Sequence, residues 1–96
     1  MMPVNEPISR HLVVRGRVQG VGYRNYIEYK AGLLNVKGWV RNRLDGSVEA
    51  VVRGSAGAVA EIIECAKRGP RAAEVTVVEV SDGEGRHQQF VVCPTE

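Results

Sequence analysis

The chain has 96 residues, which favours a single domain with one modest hydrophobic core. Hydrophobic residues make up 44% of it and charged residues 25%, as in average globular proteins, and the net charge of +2 is too small to demand a nucleic-acid partner. No apolar run approaches the ~20 residues of a membrane span, and the first seven residues lack the basic and apolar regions of a signal peptide. We therefore expect a cytoplasmic protein without a membrane partner.

The chain is predicted to begin with a flexible tail, residues 1–7, which carries two prolines. Residues 8–96 are then expected to form one folded domain. Alternating polarity over residues 9–15 predicts the first strand, with Leu12 and Val14 on one face.

A loop and a helix are predicted next. Residues 16–22 contain three glycines, which favours irregular structure. Apolar side chains then recur at helical spacing and predict a helix over residues 23–34, with a stripe formed by Tyr23, Ile27, Ala31 and Leu34.

Two strands joined by a tight turn follow, over residues 35–43 and 47–53. The pair Asp45-Gly46 between them is typical of a type I′ turn, in which both central residues need a positive φ. A strand hairpin is therefore predicted here.

A second helix begins after Gly54 and is ended by Gly69 and Pro70, because glycine suits the position after a helix end and proline cannot continue a helix. The valine-rich residues 73–81 predict a fourth strand, and residues 89–93 a short last strand.

This order of elements, βαββαβ with a short terminal strand, predicts an α+β fold. Two helices must cover one face of a mostly antiparallel sheet, because neither helix can bury its apolar stripe alone. The arrangement is the ferredoxin-like sandwich. In it the first two strands point the same way with the third between them, so the loop after the first strand and Asn42 at the end of the second face each other about 10 Å apart.

The loop before the first helix has the features of an anion-binding site. A helix start leaves its first backbone N–H groups without partners, and no good side-chain cap precedes this one at residues 19–22. Arg24 adds a planar cation that can bind two phosphate oxygens at once. The residues alone leave two interpretations open, an anion site or a hydrated helix start with Arg24 at the surface.

Asn42 shares the strand parity of Val36 and Val40, so it is predicted to point toward the helix-covered side at the rim of the sheet. A polar amide there must find hydrogen-bond partners or cost ~1–3 kcal/mol. Local backbone could satisfy it. Alternatively, its carbonyl oxygen could hold an attacking water while its amide group contacts a phosphoryl group.

Other reactive side chains do not form a recognisable catalytic or metal-binding pattern. His11 lies on the strand face opposite Leu12 and His87 lies in a turn, so both are predicted at the surface. Cys65 and Cys93 lack metal-site spacing and are expected to be free thiols, with one disulfide as the open alternative. We predict no cofactor and no metal.

Two segments strongly resemble the signature motifs of the acylphosphatase family. The first runs from Val14 to Arg24 (VRGRVQGVGYR) and the second from Gly38 to Glu49 (GWVRNRLDGSVE). The resemblance extends from about residue 10 to residue 92, with Tyr23 standing where phenylalanine is commoner.

The resemblance implies hydrolysis of carboxyl phosphates such as acetyl phosphate. It also implies that Arg24 binds the substrate and stabilises the transition state, and that Asn42 orients the attacking water. We expect a monomer whose partners are a small acyl phosphate and the product inorganic phosphate. The phosphate is expected to contact Arg24 and the loop backbone at Gln19, Gly20, Val21, Gly22 and Tyr23.

Two other functions fit the sequence less well. Residues 37–40 partly resemble an RNA-recognition motif, but Arg41 and Asn42 replace apolar or aromatic residues and the stacking aromatic pairs are missing, so we expect no nucleic-acid partner. The second alternative is a small-anion-binding domain without turnover. The presence of both Arg24 and Asn42 argues against it.

Overall fold

The computed structural model describes residues 6–96, and the predicted order of elements is confirmed in it. Residues 1–5 of the predicted tail lie outside the described residues, and residues 6–7 have no regular structure. No helix of the described part is long and apolar enough to cross a membrane. The elements are β1 (Ile8–Arg17), α1 (Tyr23–Leu34), β2 (Lys37–Asn42), β3 (Val48–Gly54), α2 (Ala56–Arg68), β4 (Glu74–Asp82) and β5 (Phe90–Val92).

The strands form one sheet in the order β4-β1-β3-β2-β5, in which all neighbours are antiparallel except the parallel pair β2 and β5. β3 lies between β1 and β2, as the predicted ferredoxin-like topology requires. The carboxyl ends of β1 and β2 therefore share one edge of the sheet, about 10 Å apart. The start of α1 lies at that same edge, because α1 follows β1 after a short loop.

Both helices pack on one face of the sheet and bury the core between them and the strands. The stripe predicted for α1 is buried at Tyr23, Ile27 and Ala31, and Ile62 of α2 has no exposed surface. Fully burying an isoleucine contributes about 1.5–3 kcal/mol, so packing rather than helix propensity stabilises these short helices. The fully or almost fully buried strand residues beneath them are Leu12, Val14, Val40, Val48 and Val52.

Two local predictions for the second and third strands are corrected by the structure. Asn35 was expected in β2, but it has a positive φ of 57° and caps the end of α1, so β2 begins at Lys37. The hairpin is confirmed, whereas the type I′ turn is wrong because Gly46 has a positive φ of 93° and Asp45 does not. The reason is that the Asp45 carboxylate accepts hydrogen bonds from the backbone and hydroxyl of Ser47, which favours a longer loop with a single positive-φ residue.

Candidate active site

β1 passes into α1 through a loop, residues 18–22, that leaves the helix start open. Gly20 and Gly22 have positive φ values of 73° and 79°, which glycine adopts at little cost. Gly22 is the N-cap of α1, no side chain caps the helix there, and its first turn contains no acidic residue. The first backbone N–H groups and the positive end of the helix dipole are therefore left for another acceptor.

Arg24 and Asn42 line the same cavity in front of this loop, which we call the loop cavity. Its volume is about 110 Å³, which leaves space for several water-sized groups. The fold thus brings together the two side chains that the sequence marked as catalytic, one from the first turn of α1 and one from the end of β2. The lining residues are Val18, Gly20, Gly22, Tyr23, Arg24, Asn25 and Asn42.

The Arg24 guanidinium is half-buried and keeps most of its hydrogen-bond donors available. Its Nη1 lies 3.4 Å from the carbonyl oxygen of Cys93, which accepts a long hydrogen bond from it. Within residues 6–96 it forms no salt bridge with a carboxylate. Its charge is therefore not neutralised by an acidic neighbour, as an anion site requires.

The Asn42 side chain holds a buried acceptor with no partner. Asn42 is the last residue of β2 and pairs with Val48 of β3 on the helix-covered side of the sheet, the side that its strand parity predicted. Its Oδ1 is buried and accepts no hydrogen bond, and among residues 6–96 it is the one buried side-chain N or O atom in this condition. Such an orphaned atom costs about 1–3 kcal/mol, so a buried acceptor in this condition marks a place for a ligand or a bound water.

The loop residues named from the sequence separate into two groups. Gly20, Gly22 and Tyr23 line the loop cavity, whereas Gln19 and Val21 do not. The Gln19 side chain instead points to the β2–β3 hairpin, and Val21 packs at the margin of the core. This division could not be seen in the sequence, because it depends on which backbone and side-chain atoms of the folded loop face the cavity.

Tyr23 contributes to the wall of the cavity without offering a titratable group to it. Its ring is 2% exposed, and its hydroxyl donates a hydrogen bond of 2.8 Å to the carbonyl oxygen of Ala66 in α2. Burial raises the pKa of Tyr23 well above its ordinary value. Asn25, which sequence reasoning did not select, completes the wall, and its place in the first turn of α1 was the available signal.

Residues 93–96 run beside the end of β2 and support both catalytic candidates, a role that the sequence did not reveal. The Cys93 N–H donates to Val40, and the Glu96 N–H donates to the carbonyl of Asn42, at 2.8 and 3.0 Å. The Leu44 N–H donates back to the carbonyl of Glu96 at 3.2 Å. We call residues 93–96 the terminal strap, since they fix the backbone of Asn42 and supply the carbonyl that contacts Arg24.

The charged cluster nearest in sequence to Asn42 lies on the other face of the sheet. Glu49 is 8% exposed and accepts hydrogen bonds from His11 at 2.6 Å and from the Nε of Arg41 at 2.9 Å. Although burial would raise the pKa of Glu49, these two hydrogen bonds hold it below its ordinary value. His11 is therefore half-buried and paired on the helix-free face, as its strand parity predicted, and does not reach the loop cavity.

The remaining reactive side chains do not line the cavity either. His87 contacts the backbone of Glu84, Cys65 is a buried free thiol, and Cys93 is a half-buried free thiol. No group of three or more His, Cys, Asp and Glu side chains in residues 6–96 is arranged to hold a metal ion. The described cavity lining accordingly contains amides, one guanidinium and one phenol, but no carboxylate or imidazole.

Comparison with known sequences gives a consistent picture. A family model described as Acylphosphatase matches residues 10–92. The chain is 57% identical over 76 residues to an acylphosphatase of Rhodopseudomonas palustris (strain BisB18), covering 79% of this chain and 77% of the relative. It is 46% identical over 93 residues to an acylphosphatase of Pyrobaculum islandicum, covering 94% of this chain and 98% of the relative.

Comparison with solved structures agrees. The crystal structure of acylphosphatase from Bacillus subtilis superposes with a TM-score of 0.85 at 33% identity and covers 90% of this chain and 98% of that one. The acylphosphatase from Coxiella burnetii superposes with a TM-score of 0.89 at 30% identity, covering 96% of this chain and all of the other.

Proposed function

The chain belongs to the acylphosphatase family, and on that premise we propose that it hydrolyses the carboxyl-phosphate bond of small acyl phosphates to a carboxylate and inorganic phosphate. Arg24 and the backbone amides at the start of α1 bind the phosphoryl group in this proposal, and Asn42 positions the attacking water.

The observation that carries the proposal is the buried, unpartnered Oδ1 of Asn42 beside the open helix start. An acceptor in this position can accept a hydrogen bond from a bound water and hold the water oxygen toward a phosphorus atom seated over the loop. Holding a nucleophile in line is worth several kcal/mol of the barrier in reactions of this kind. A purely structural asparagine would use its oxygen within the fold instead.

The Arg24 guanidinium and the amides supply the stabilisation of charge. Phosphoryl transfer spreads negative charge over three equatorial oxygens, and its catalysis rests mainly on positioning and electrostatic stabilisation. The long contact to the Cys93 carbonyl leaves the guanidinium free to bind two of those oxygens in parallel. The helix dipole of α1 adds a favourable field along the same direction.

Protons and electron pairs balance without a protein base. The water oxygen forms a bond to phosphorus as the bond from phosphorus to the carboxyl oxygen breaks, and the electron pair of that bond leaves with the carboxylate. A carboxylate is a weak base and needs no general acid. The water proton passes to a phosphate oxygen, in keeping with a cavity lining that holds no carboxylate or imidazole.

The reaction so described needs no metal, and we propose that the protein acts without one, as a cytoplasmic monomer. Two features support this. The lining of the loop cavity already includes both Arg24 and Asn42, and Cys65 and Cys93 are free thiols, as is usual in a reducing compartment. We also propose that residues 8–96 act as one domain.

The experiment that tests the proposal is an assay on benzoyl phosphate in the presence of a chelator, with an alkyl phosphate ester as the control substrate. We expect the carboxyl phosphate to be hydrolysed and the ester to be stable. The rate should not follow the titration of a histidine, because neither His11 nor His87 lines the cavity. Equal rates on both substrates, or no turnover of either, would contradict the proposal.

The Asn42→Ala variant tests the carrying observation directly, with Gln88→Ala at an exposed position as the matched control. We expect turnover to fall about 10²–10³-fold, the usual cost of removing one polar contact to a transition state, while inhibition by inorganic phosphate weakens much less. Turnover at the level of the Gln88→Ala variant would show that Asn42 does not position the water.

A further inference from the structure

Gln19 connects the two halves of the loop cavity without lining it. Its half-buried side chain crosses from the loop to the β2–β3 hairpin, where Nε2 donates hydrogen bonds of 2.8 Å to the carbonyl oxygens of Arg43 and Ser47. Both acceptors are carbonyls, so only the NH₂ end of the amide can face them. The side chain therefore has one orientation, and both of its protons are used.

The hairpin does not need these hydrogen bonds to stay closed. The Ser47 carbonyl already accepts from the Arg43 N–H at 2.8 Å, and the Arg43 carbonyl already accepts from the Gly46 N–H at 3.1 Å. Each carbonyl has a second lone pair, and Gln19 occupies it in both cases. What Gln19 adds is a side-chain link between the loop and the hairpin.

The two ends of the link lie next to the two parts of the site. Gln19 directly precedes Gly20 of the loop, and Arg43 directly follows Asn42 of β2. A shift of the loop relative to the hairpin would therefore change the distance from the phosphate-binding amides to the Asn42 side chain. A misplacement of about 1 Å in such an arrangement can cost 10²-fold in rate.

We propose that Gln19 is a positioning residue, whose side chain sets the separation between the phosphate-binding loop and the Asn42 amide. This inference rests on the proposed function, because it concerns the alignment of the same water and phosphoryl group. Gln19 acts through Arg43 and Ser47 and not through the substrate. Its loss should consequently disturb the alignment of the water while leaving the phosphate contacts of the loop and Arg24 in place.

The test is Gln19→Met, which keeps the length and most of the volume of the side chain and removes its hydrogen bonds. Gln88→Met, at an exposed position whose side chain makes no hydrogen bond in the described residues, is the matched control. We expect kcat on benzoyl phosphate to fall about 10–100-fold for Gln19→Met, with the inhibition constant of inorganic phosphate within about threefold of the unmodified protein. Both constants are measured well below the unfolding temperature of each variant.

Three results separate the inference from the proposed function. If the unmodified chain does not hydrolyse benzoyl phosphate, the proposed function fails and the inference with it. If the unmodified chain is active and Gln19→Met keeps its kcat, the inference alone is overturned. If kcat and phosphate affinity fall together by the same factor, Gln19 supports the loop as a whole, and the positioning role is overturned as well.

Discussion

The two helices of this fold have similar lengths, 12 and 13 residues, and begin in opposite ways. α2 starts at Ser55, which has an extended backbone and whose hydroxyl oxygen accepts a hydrogen bond from the Ala58 N–H at 3.2 Å. α1 starts at Gly22, in the left-handed region, and has no side-chain cap. A serine cap contributes about 0.5–2 kcal/mol to helix or protein stability, so α1 lacks a stabilising hydrogen bond that α2 has.

The difference follows the position of each helix start on the sheet. α2 begins after β3, which runs opposite to β1 and β2, so its start lies at the edge away from the loop cavity. α1 begins at the edge that carries Arg24 and Asn42. A side-chain oxygen at the start of α1 would occupy the N–H groups that a phosphate oxygen is expected to bind, so the uncapped start is best explained by function and the capped one by stability.

The largest effect expected at either helix start comes from Arg24→Lys, with Arg71→Lys at an exposed position as the control. An ammonium cannot reproduce the planar, two-point contact of a guanidinium, so binding and rate should weaken together. We expect kcat/KM on benzoyl phosphate to fall at least about 10²-fold. If Arg24→Lys and Arg71→Lys were equally active, the guanidinium of Arg24 would contribute no more to the reaction than that of an exposed arginine.

A glycine exchange should give opposite signs at the two helix starts. Gly22 has a φ of 79°, where alanine is strained by about 1–2 kcal/mol, whereas Gly57 in the first turn of α2 has ordinary helical geometry and open space around it. We expect urea unfolding to show that Gly22→Ala lowers the free energy of unfolding by that amount. Gly57→Ala should raise it by about 0.4–1 kcal/mol. A change of the same sign in both variants would remove the contrast between the helices.

The smallest effect is expected from removing the cap of α2. Ser55→Ala should lower the free energy of unfolding by about 1 kcal/mol, because it removes the hydroxyl oxygen that accepts the hydrogen bond of the Ala58 N–H. Ser55→Gly removes the same hydroxyl but should cost only a few tenths of a kcal/mol, because glycine suits the N-cap position. Turnover of benzoyl phosphate at a temperature where both variants are folded should be unchanged. A loss of turnover without unfolding would mean that the start of α2 also serves the reaction.

Local patterns were sufficient for much of the fold, whereas Arg24 and Asn42 were named as site residues by the family resemblance. The helix over residues 23–34 was predicted with the bounds that the structure gives, because its apolar stripe and the glycines before it are both local features of the sequence. Strand parity placed Asn42 on the helix-covered side and His11 on the other. The family resemblance, confirmed by the match over residues 10–92, named Arg24 and Asn42.

What escaped the sequence depends on contacts between distant segments. The bridge from Gln19 to Arg43 and Ser47 spans 24 and 28 positions, and no periodicity predicts where a loop side chain will point. The terminal strap was missed because pairing beside a parallel strand leaves no local turn signal. The turn type at Asp45 was wrong because a side-chain hydrogen bond within the loop decided between two hairpin geometries.

The terminal strap also makes the geometry of the candidate site depend on contacts between distant parts of the sequence. The hydrogen bond from Arg24 to the Cys93 carbonyl joins residues 69 positions apart, and the Glu96 N–H donates to the Asn42 carbonyl. Such contacts reward the chain only after the entropy cost of closing a long loop has been met. We therefore expect the final placement of Arg24 and Asn42 to be a late event in folding.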